Sequence, residues 1–183
     1  MAAGFEMKFL FKAMNRDYAV EMINNWRYEE QYRMYDYVNE REDLLNEYTW
    51  GFNRFAAVDE YDKPVGELTV EFFVDLPDNP KHGFYADKTT VLENPCLEYQ
   101  MWLGFGLRPD LTGKGLGCEF INACIDFSVG FHSYAGEYVR LAVAERNIRA
   151  VKTYKRVGFE VFFRHSFVID GENTLILWMK KKI

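Results

Sequence analysis

The sequence is poor in the residues that staple a chain, chelate a metal or grip a polyanion. It has three cysteines, Cys96, Cys118 and Cys124, an odd number with no C-x-x-C pair, and three scattered histidines. That argues against a disulfide scaffold or a zinc site, so no metal is expected and a reducing cytoplasm is the default compartment. The 22 Lys and Arg are outnumbered by 28 Asp and Glu, for a formal net charge of −6. A nucleic-acid binder would instead show a basic stripe, so no nucleic-acid partner is expected. No apolar run reaches the roughly 20 residues of a membrane span. Lys8 and Lys12 break the apolar N-terminal residues that a secretory leader needs, so no membrane partner is expected either. Internal repeats, low-complexity tracts and clear linkers are also missing.

What is present suits a small enzyme. The 183 residues are 49% hydrophobic and 17% aromatic, enough for a sizeable core in one domain, read here as residues 1–183. The order of elements is mixed α/β. Phe5–Lys12 reads as a first strand, and Asn15 or Asp17 suits the cap of a helix over Tyr18–Trp26. A second helix is expected within Glu29–Tyr48. Arg54–Val58 and Val65–Val74 read as strands around a turn with Asp59, Asp62 and Pro64. In the second of these, Leu68, Val70 and Phe72 face one way and Thr69, Glu71 and Phe73 the other. Asp75–Cys96 holds Pro77, Pro80 and Pro95 and reads as a long loop, either beside the active site or an idle insertion. The strand Leu97–Leu107 follows, then a glycine turn and a helix striped by Phe120, Cys124 and Phe127. Tyr138–Val143 is a short strand and Asn147–Arg156 a helix ended by Gly158. Phe159–Arg164 and Thr174–Lys180 close the chain as a hairpin around Asp170–Gly171.

Leu107–Gly117, LRPDLTGKGLG, carries the chemistry. The apolar Tyr99–Leu107 leads into it and the helical pattern Leu116–Val129 leaves it. A glycine turn opening a helix aims unpaired N–H groups and the positive end of the helix dipole at one point, which makes an anion site. A diphosphate-bearing cofactor is the expected occupant; a turn that only joins strand to helix is the plainer alternative. A Walker loop is ruled out because Lys114 is followed by Gly115 rather than Ser or Thr. A dinucleotide fingerprint fails too, since Pro109 stands where the third glycine after Gly104 and Gly106 belongs.

Downstream lies AERNIRAVKTYKRVGFE, Ala144–Glu160. With the glycine turn it resembles the Gcn5-related N-acetyltransferase (GNAT) superfamily. In that family a turn of the form R/Q-x-x-G-x-G/A wraps the pyrophosphate of acetyl-CoA, and a later N…A…Y…GF segment lies along the pantetheine arm. Thr112–Gly117 aligns with the turn, Gly115 and Gly117 being the paired glycines. Asn147, Ala150, Tyr154, Gly158 and Phe159 align with the later segment. The resemblance covers mainly Leu97–Arg164. Thr112 departs from it: a short side chain cannot reach phosphates as a guanidinium does. Backbone N–H groups, the Thr112 hydroxyl and the Lys114 charge are left to serve.

The resemblance implies an α/β fold with a central, mostly antiparallel sheet of about six to seven strands, splayed at the cofactor site and flanked by about four helices. It implies direct acetyl transfer from acetyl-CoA to a primary amine of a small molecule, amino acid or peptide N-terminus. Phe105, Leu107, Thr112, Gly113, Lys114, Gly115, Leu116, Gly117, Asn147 and Tyr154 would hold the cofactor. Phe105 and Leu107 would border the splay, where backbone groups bond pantetheine and polarise the thioester carbonyl. Gly104 and Gly106 suit a bulge there or simply close packing. Similar proteins are often dimers, which allows a homodimer. A non-catalytic acetyl-CoA sensor on the same fold is the alternative function, and the presence of Tyr154 counts against it.

Two proton transfers follow from the implied chemistry. An amine of pKa about 10 must lose a proton, and a thiolate whose thiol has pKa about 8.5 must gain one. Tyr154 is the implied general acid, unless its ring only packs. A phenol is the weaker acid by about 1.5 units, or roughly 2 kcal/mol. Glu98 is the candidate base, with Glu67 and Glu71 as rivals; a surface role for any of them, or a water chain instead of a base, stays open. Asn147 also reads as a helix N-cap. WRYEEQYRMYD, Trp26–Asp36, resembles a segment of a bacterial branch of the superfamily that borders the acceptor. Trp26, Tyr28, Tyr32 and Tyr35, among Glu29, Glu30 and Asp36, would wall a cationic amine; a place in the core is the competing reading.

Overall fold

The computed structural model describes residues 7–76, 79–169 and 171–183. The expected Phe5 start and the Pro77, Asp78 and Asp170 positions lie outside them. Eight strands and five α-helices occur among the described residues: β1 Leu10–Ala13, α1 Arg16–Asn25, α2 Arg41–Leu44, β2 Arg54–Val58, β3 Pro64–Leu76, β4 Asn79–Ala86, α3 Lys88–Glu93, β5 Tyr99–Leu107, α4 Gly117–Phe131, β6 Tyr138–Ala144, α5 Ile148–Val157, β7 Glu160–Ile169 and β8 Glu172–Lys182. The sheet runs in the order β1-β2-β3-β5-β6-β8-β7, and β4 pairs with β3 off this path. It is mostly antiparallel, with β5 and β6 paired in parallel. Its eight strands exceed the six to seven expected, and β4 comes from the stretch read as a loop.

By contact, the chain divides into two compact units. One comprises residues up to Leu68 together with Phe105–Ala123, the other Thr69–Gly104 together with Cys124–Ile183, so β3, β5 and α4 contribute to both. In the first unit, Asn15 caps α1 by accepting the Tyr18 N–H at 2.9 Å. Ala19, Met22 and Ile23 recur at helical spacing and are buried with Met14, Trp26, Tyr37, Leu44, Ala56 and Val58 in one core. Phe55, Ala56, Ala57 and Val58 are all buried, because β2 lies between β1 and β3. Asp59 sets the β2–β3 turn, accepting N–H bonds from Tyr61 and Lys63 at 3.0 and 2.9 Å.

The helix expected within Glu29–Tyr48 is not one helix. The stretch consists of 3-10 turns at Glu30–Tyr35, Tyr37–Glu40 and Glu47–Thr49 around the single turn of α2. Asp36 breaks it. Its backbone is extended (φ −62°, ψ 130°) and its carboxylate accepts the Tyr28 N–H at 2.7 Å. Asn39 and Asn46 also bond nearby backbone, which competes with helix formation.

In the second unit, Asp75–Cys96 is likewise more ordered than expected. β3 runs on to Leu76, β4 pairs back from Phe72↔Ala86 to Leu76↔Asn79, and α3 follows. Asp87 caps α3 through the Thr90 N–H at 2.8 Å. The chain ends as the β7–β8 hairpin turned at Gly171. No described helix is long and apolar enough to cross a membrane.

Candidate active site

The glycine turn belongs to the first unit. Arg108 is clamped onto Asp110, Nε to Oδ1 at 2.6 Å and Nη2 to Oδ2 at 3.2 Å, which holds the Asp110 carboxyl below its usual range. A 3-10 turn at Pro109–Leu111 follows. The Thr112 hydroxyl donates to the Pro109 carbonyl at 2.7 Å, so its hydrogen is already committed within the turn. Gly113 and Gly115 have φ +75° and +86°, and a side chain at either would enter open space. Residues 113–115 are exposed. α4 opens with Phe120 N–H donating to Leu116 O, at 2.9 Å; the N–H groups of Gly117, Cys118 and Glu119 precede any i−4 partner within that helix. The turn therefore opens a helix of 15 residues, whose first-turn N–H groups point back toward it.

β5 leads into that turn. Arg108 N–H donates to Val65 O at 2.9 Å, so the alternation of an antiparallel ladder turns the Leu107 carbonyl away from β3. That carbonyl accepts the Tyr28 hydroxyl at 2.8 Å. A buried polar group lies alongside. Glu67, 5% exposed, accepts from Arg54 Nη1 on one oxygen and from the Tyr37 hydroxyl at 2.8 Å on the other. Burial and the Glu67 charge push the Tyr37 phenol well above its usual range. In the second unit, β5 pairs with β6 through Met101↔Val139 and Trp102↔Arg140, whereas β6 continues against β8 up to Ala144↔Ile176. The two strands thus part company beyond Trp102. Tyr134 bridges their paired end, accepting the Met101 N–H at 3.2 Å and donating to Tyr138 O at 2.9 Å.

α5 also lies in the second unit. Asn147 caps it through the Ala150 N–H at 3.2 Å, and Gly158, at φ +102°, ends it. Replacing Asn147 with alanine is expected to cost about 1 kcal/mol, lowering the melting temperature by about 2–4 °C. A thermal scan checks this, with Asn147→Asp, which keeps the cap, as the control. Tyr154, on the last turn of α5, is half-buried, its ring edge-on to Phe159 at 6.0 Å.

The family model described as Acetyltransferase (GNAT) family matches residues 11–159. The chain belongs to the GNAT acetyltransferase family. Solved structures of similar fold are N-acetyltransferases by name. One is a chimera of spermidine N-acetyltransferase SpeG from Vibrio cholerae and hSSAT, 20% identical, covering 95% of each chain at TM-score 0.63. Another is a putative phosphinothricin N-acetyltransferase, 11% identical, covering 96% of this chain and 99% of the other at TM-score 0.65. No protein of curated function matches the sequence.

Within this GNAT chain the predicted site residues fare differently. Phe105, Leu107 and Thr112 to Gly117 lie along one continuous run of the first unit. Leu116 is 4% exposed, so its side chain packs inward and anchors the turn. Trp26 is 1% exposed, in the core, edge-on to Tyr37 at 5.1 Å, and with Tyr28 it borders a cleft of the first unit that also takes in Arg108, Asp110 and Thr112. Tyr28 serves β5, and Tyr32 and Tyr35 are half-buried on the 3-10 turn, so the common helical face expected for the three does not exist. Glu98 is exposed and precedes β5 at the end opposite Leu107, roughly 23 Å along the strand from Phe105 at ~3.3 Å per residue. That leaves it a surface carboxylate. Glu67 is no free base either, since both its oxygens are bonded. Sequence reasoning missed Tyr37, Arg54 and Tyr134; the glycines at 104 and 106 were the available sign that something presses on β5.

Proposed function

We propose that the chain transfers an acetyl group from acetyl-CoA to a primary amine of a small molecule, amino acid or peptide N-terminus. It would act as a single-domain cytoplasmic enzyme, with a homodimer compatible with this reading. The glycine turn carries the proposal: open space over two left-handed glycines, leading into the first-turn N–H groups and positive end of a 15-residue helix, suits a diphosphate. Lys114, exposed on the turn, would add a point charge. Family membership makes acetyl-CoA the diphosphate of choice.

The chain's own groups would then divide the work. The turn anchors the donor. Backbone groups at Phe105 and Leu107 orient the thioester, where an N–H near the carbonyl stabilises charge that develops as the amine attacks. Tyr154 delivers a proton to the departing thiolate. No side chain is assigned to take the amine proton; water serves. Acidic groups around Tyr32, the exposed Glu29 and Glu30, favour a cationic acceptor.

Calorimetric titration with acetyl-CoA tests the reading, with magnesium ATP and NAD as controls. Acetyl-CoA alone is expected to bind, with affinity within the ~1 μM–1 mM range usual for enzyme substrates. Thiol release would then be followed over a panel of amines that includes spermidine, phosphinothricin, amino acids and dipeptides. The first two are the acceptors named in the titles of the structural neighbours. A folded protein that ignores acetyl-CoA would overturn the proposal.

A further inference from the structure

Tyr28, from the segment read as an acceptor wall, and Tyr37, just beyond that segment, both reach the end of β5. Tyr28 holds the Leu107 carbonyl. Tyr37 lies over the neighbouring Gly106: a Cβ built there would overlap the Tyr37 hydroxyl and sit 3.0 Å from its Cζ. We infer that Tyr37 is a positioning residue, held by Glu67 and Arg54 in the side-chain space above Gly106 so that residues 105–107 keep one backbone conformation. This rests on the reading above, in which those residues orient the thioester.

Each part of the device is fixed by something else. The Tyr37 ring is 4% exposed and packs edge-on against the buried Trp26. Its hydroxyl donates to Glu67, whose other oxygen accepts from Arg54, so no oxygen of the carboxylate is left to draw the phenol elsewhere. Tyr28 is registered to the same segment through the bond from its N–H to Asp36, the residue preceding Tyr37. The two hydroxyls therefore reach adjacent residues of β5 from one locally braced loop. A phenol so buried beside a carboxylate keeps its proton, so its part is geometric and not proton transfer. Gly106 is the complement: any larger residue would displace the hydroxyl and undo its bond to Glu67.

Where a reacting group must be placed to within an ångström, small displacements are costly in rate. Tyr37→Phe is expected to lower kcat about tenfold per folded molecule. The acetyl-CoA dissociation constant should stay within about twofold, because the diphosphate turn is untouched. A residue that only stabilised the fold would leave kcat of the folded fraction alone. A second measurement needs no cofactor. Gly106→Ala should lower the urea midpoint clearly in the parent and less in the Y37F background, where the overlapping oxygen is gone. Turnover of Y37F within twofold of the parent, in a parent that binds and uses acetyl-CoA, overturns the positioning role alone. Equal damage by Gly106→Ala in both backgrounds overturns the contact itself. A parent that does not bind acetyl-CoA overturns the transferase reading and with it the catalytic half of this one, while the stability cycle still decides whether Tyr37 holds Gly106.

Discussion

Tyr154→Phe should reduce kcat by about 10²–10³-fold and leave the acetyl-CoA dissociation constant within about twofold. The substitution removes one oxygen and keeps the ring, so the edge-on contact with Phe159 and the packing of α5 survive. What would be lost, on the proposed mechanism, is the proton for the leaving thiolate. Without it the thiolate departs as an anion into water, and the barrier rises by what general acid catalysis supplied. The small mismatch between a phenol and a thiol, roughly 2 kcal/mol, does not disqualify the donor, because a hydrogen bond that strengthens as charge develops is enough. A pure transition-state effect lowers kcat and kcat/KM together, and steady-state kinetics with acetyl-CoA varied shows whether it does. Unchanged kcat would make Tyr154 a packing residue and leave water as the acid.

What could be read in the sequence was local. Asn147 and Gly158 mark the two ends of α5 by their own backbone chemistry, and Leu68, Val70 and Phe72 mark the buried face of β3 by alternation. The glycine turn was legible for the same reason, since its left-handed residues are glycine by necessity. The failures share the opposite property. Asp36 breaks a plausible helix by catching the N–H of a residue eight positions earlier, which no helical spacing announces. β4 exists because β3 runs far enough to offer it an edge. The burial of Trp26 was equally hidden, because the residues it is buried with, Met14, Ala56 and Val58, come from elsewhere in the chain. The set Tyr37, Arg54, Glu67 and Gly106 is drawn from four separate stretches. Its logic is a buried carboxylate that must be satisfied twice, and that requirement appears only once the strands are paired.

Gly115→Trp is expected to weaken acetyl-CoA binding by more than about 100-fold. The indole would stand over the N–H groups a diphosphate needs, and losing two charge-assisted hydrogen bonds at about 1.5–3 kcal/mol each accounts for that factor. A left-handed backbone also disfavours any residue with a Cβ by roughly 1–2 kcal/mol, so weaker binding alone does not separate a blocked site from a damaged fold. Gly171 supplies the control. It has φ +78° and equally open surroundings, but lies in the β7–β8 hairpin. Gly171→Trp therefore carries a similar backbone strain without touching the turn, and its acetyl-CoA affinity should match the parent within about twofold. Thermal scans of both variants measure the strain, and calorimetry with acetyl-CoA measures the rest. Loss of affinity confined to Gly115→Trp places the diphosphate on the turn. Parental affinity in both would move it elsewhere on the molecule, and comparable losses in both would mean that binding follows general stability rather than access to these donors.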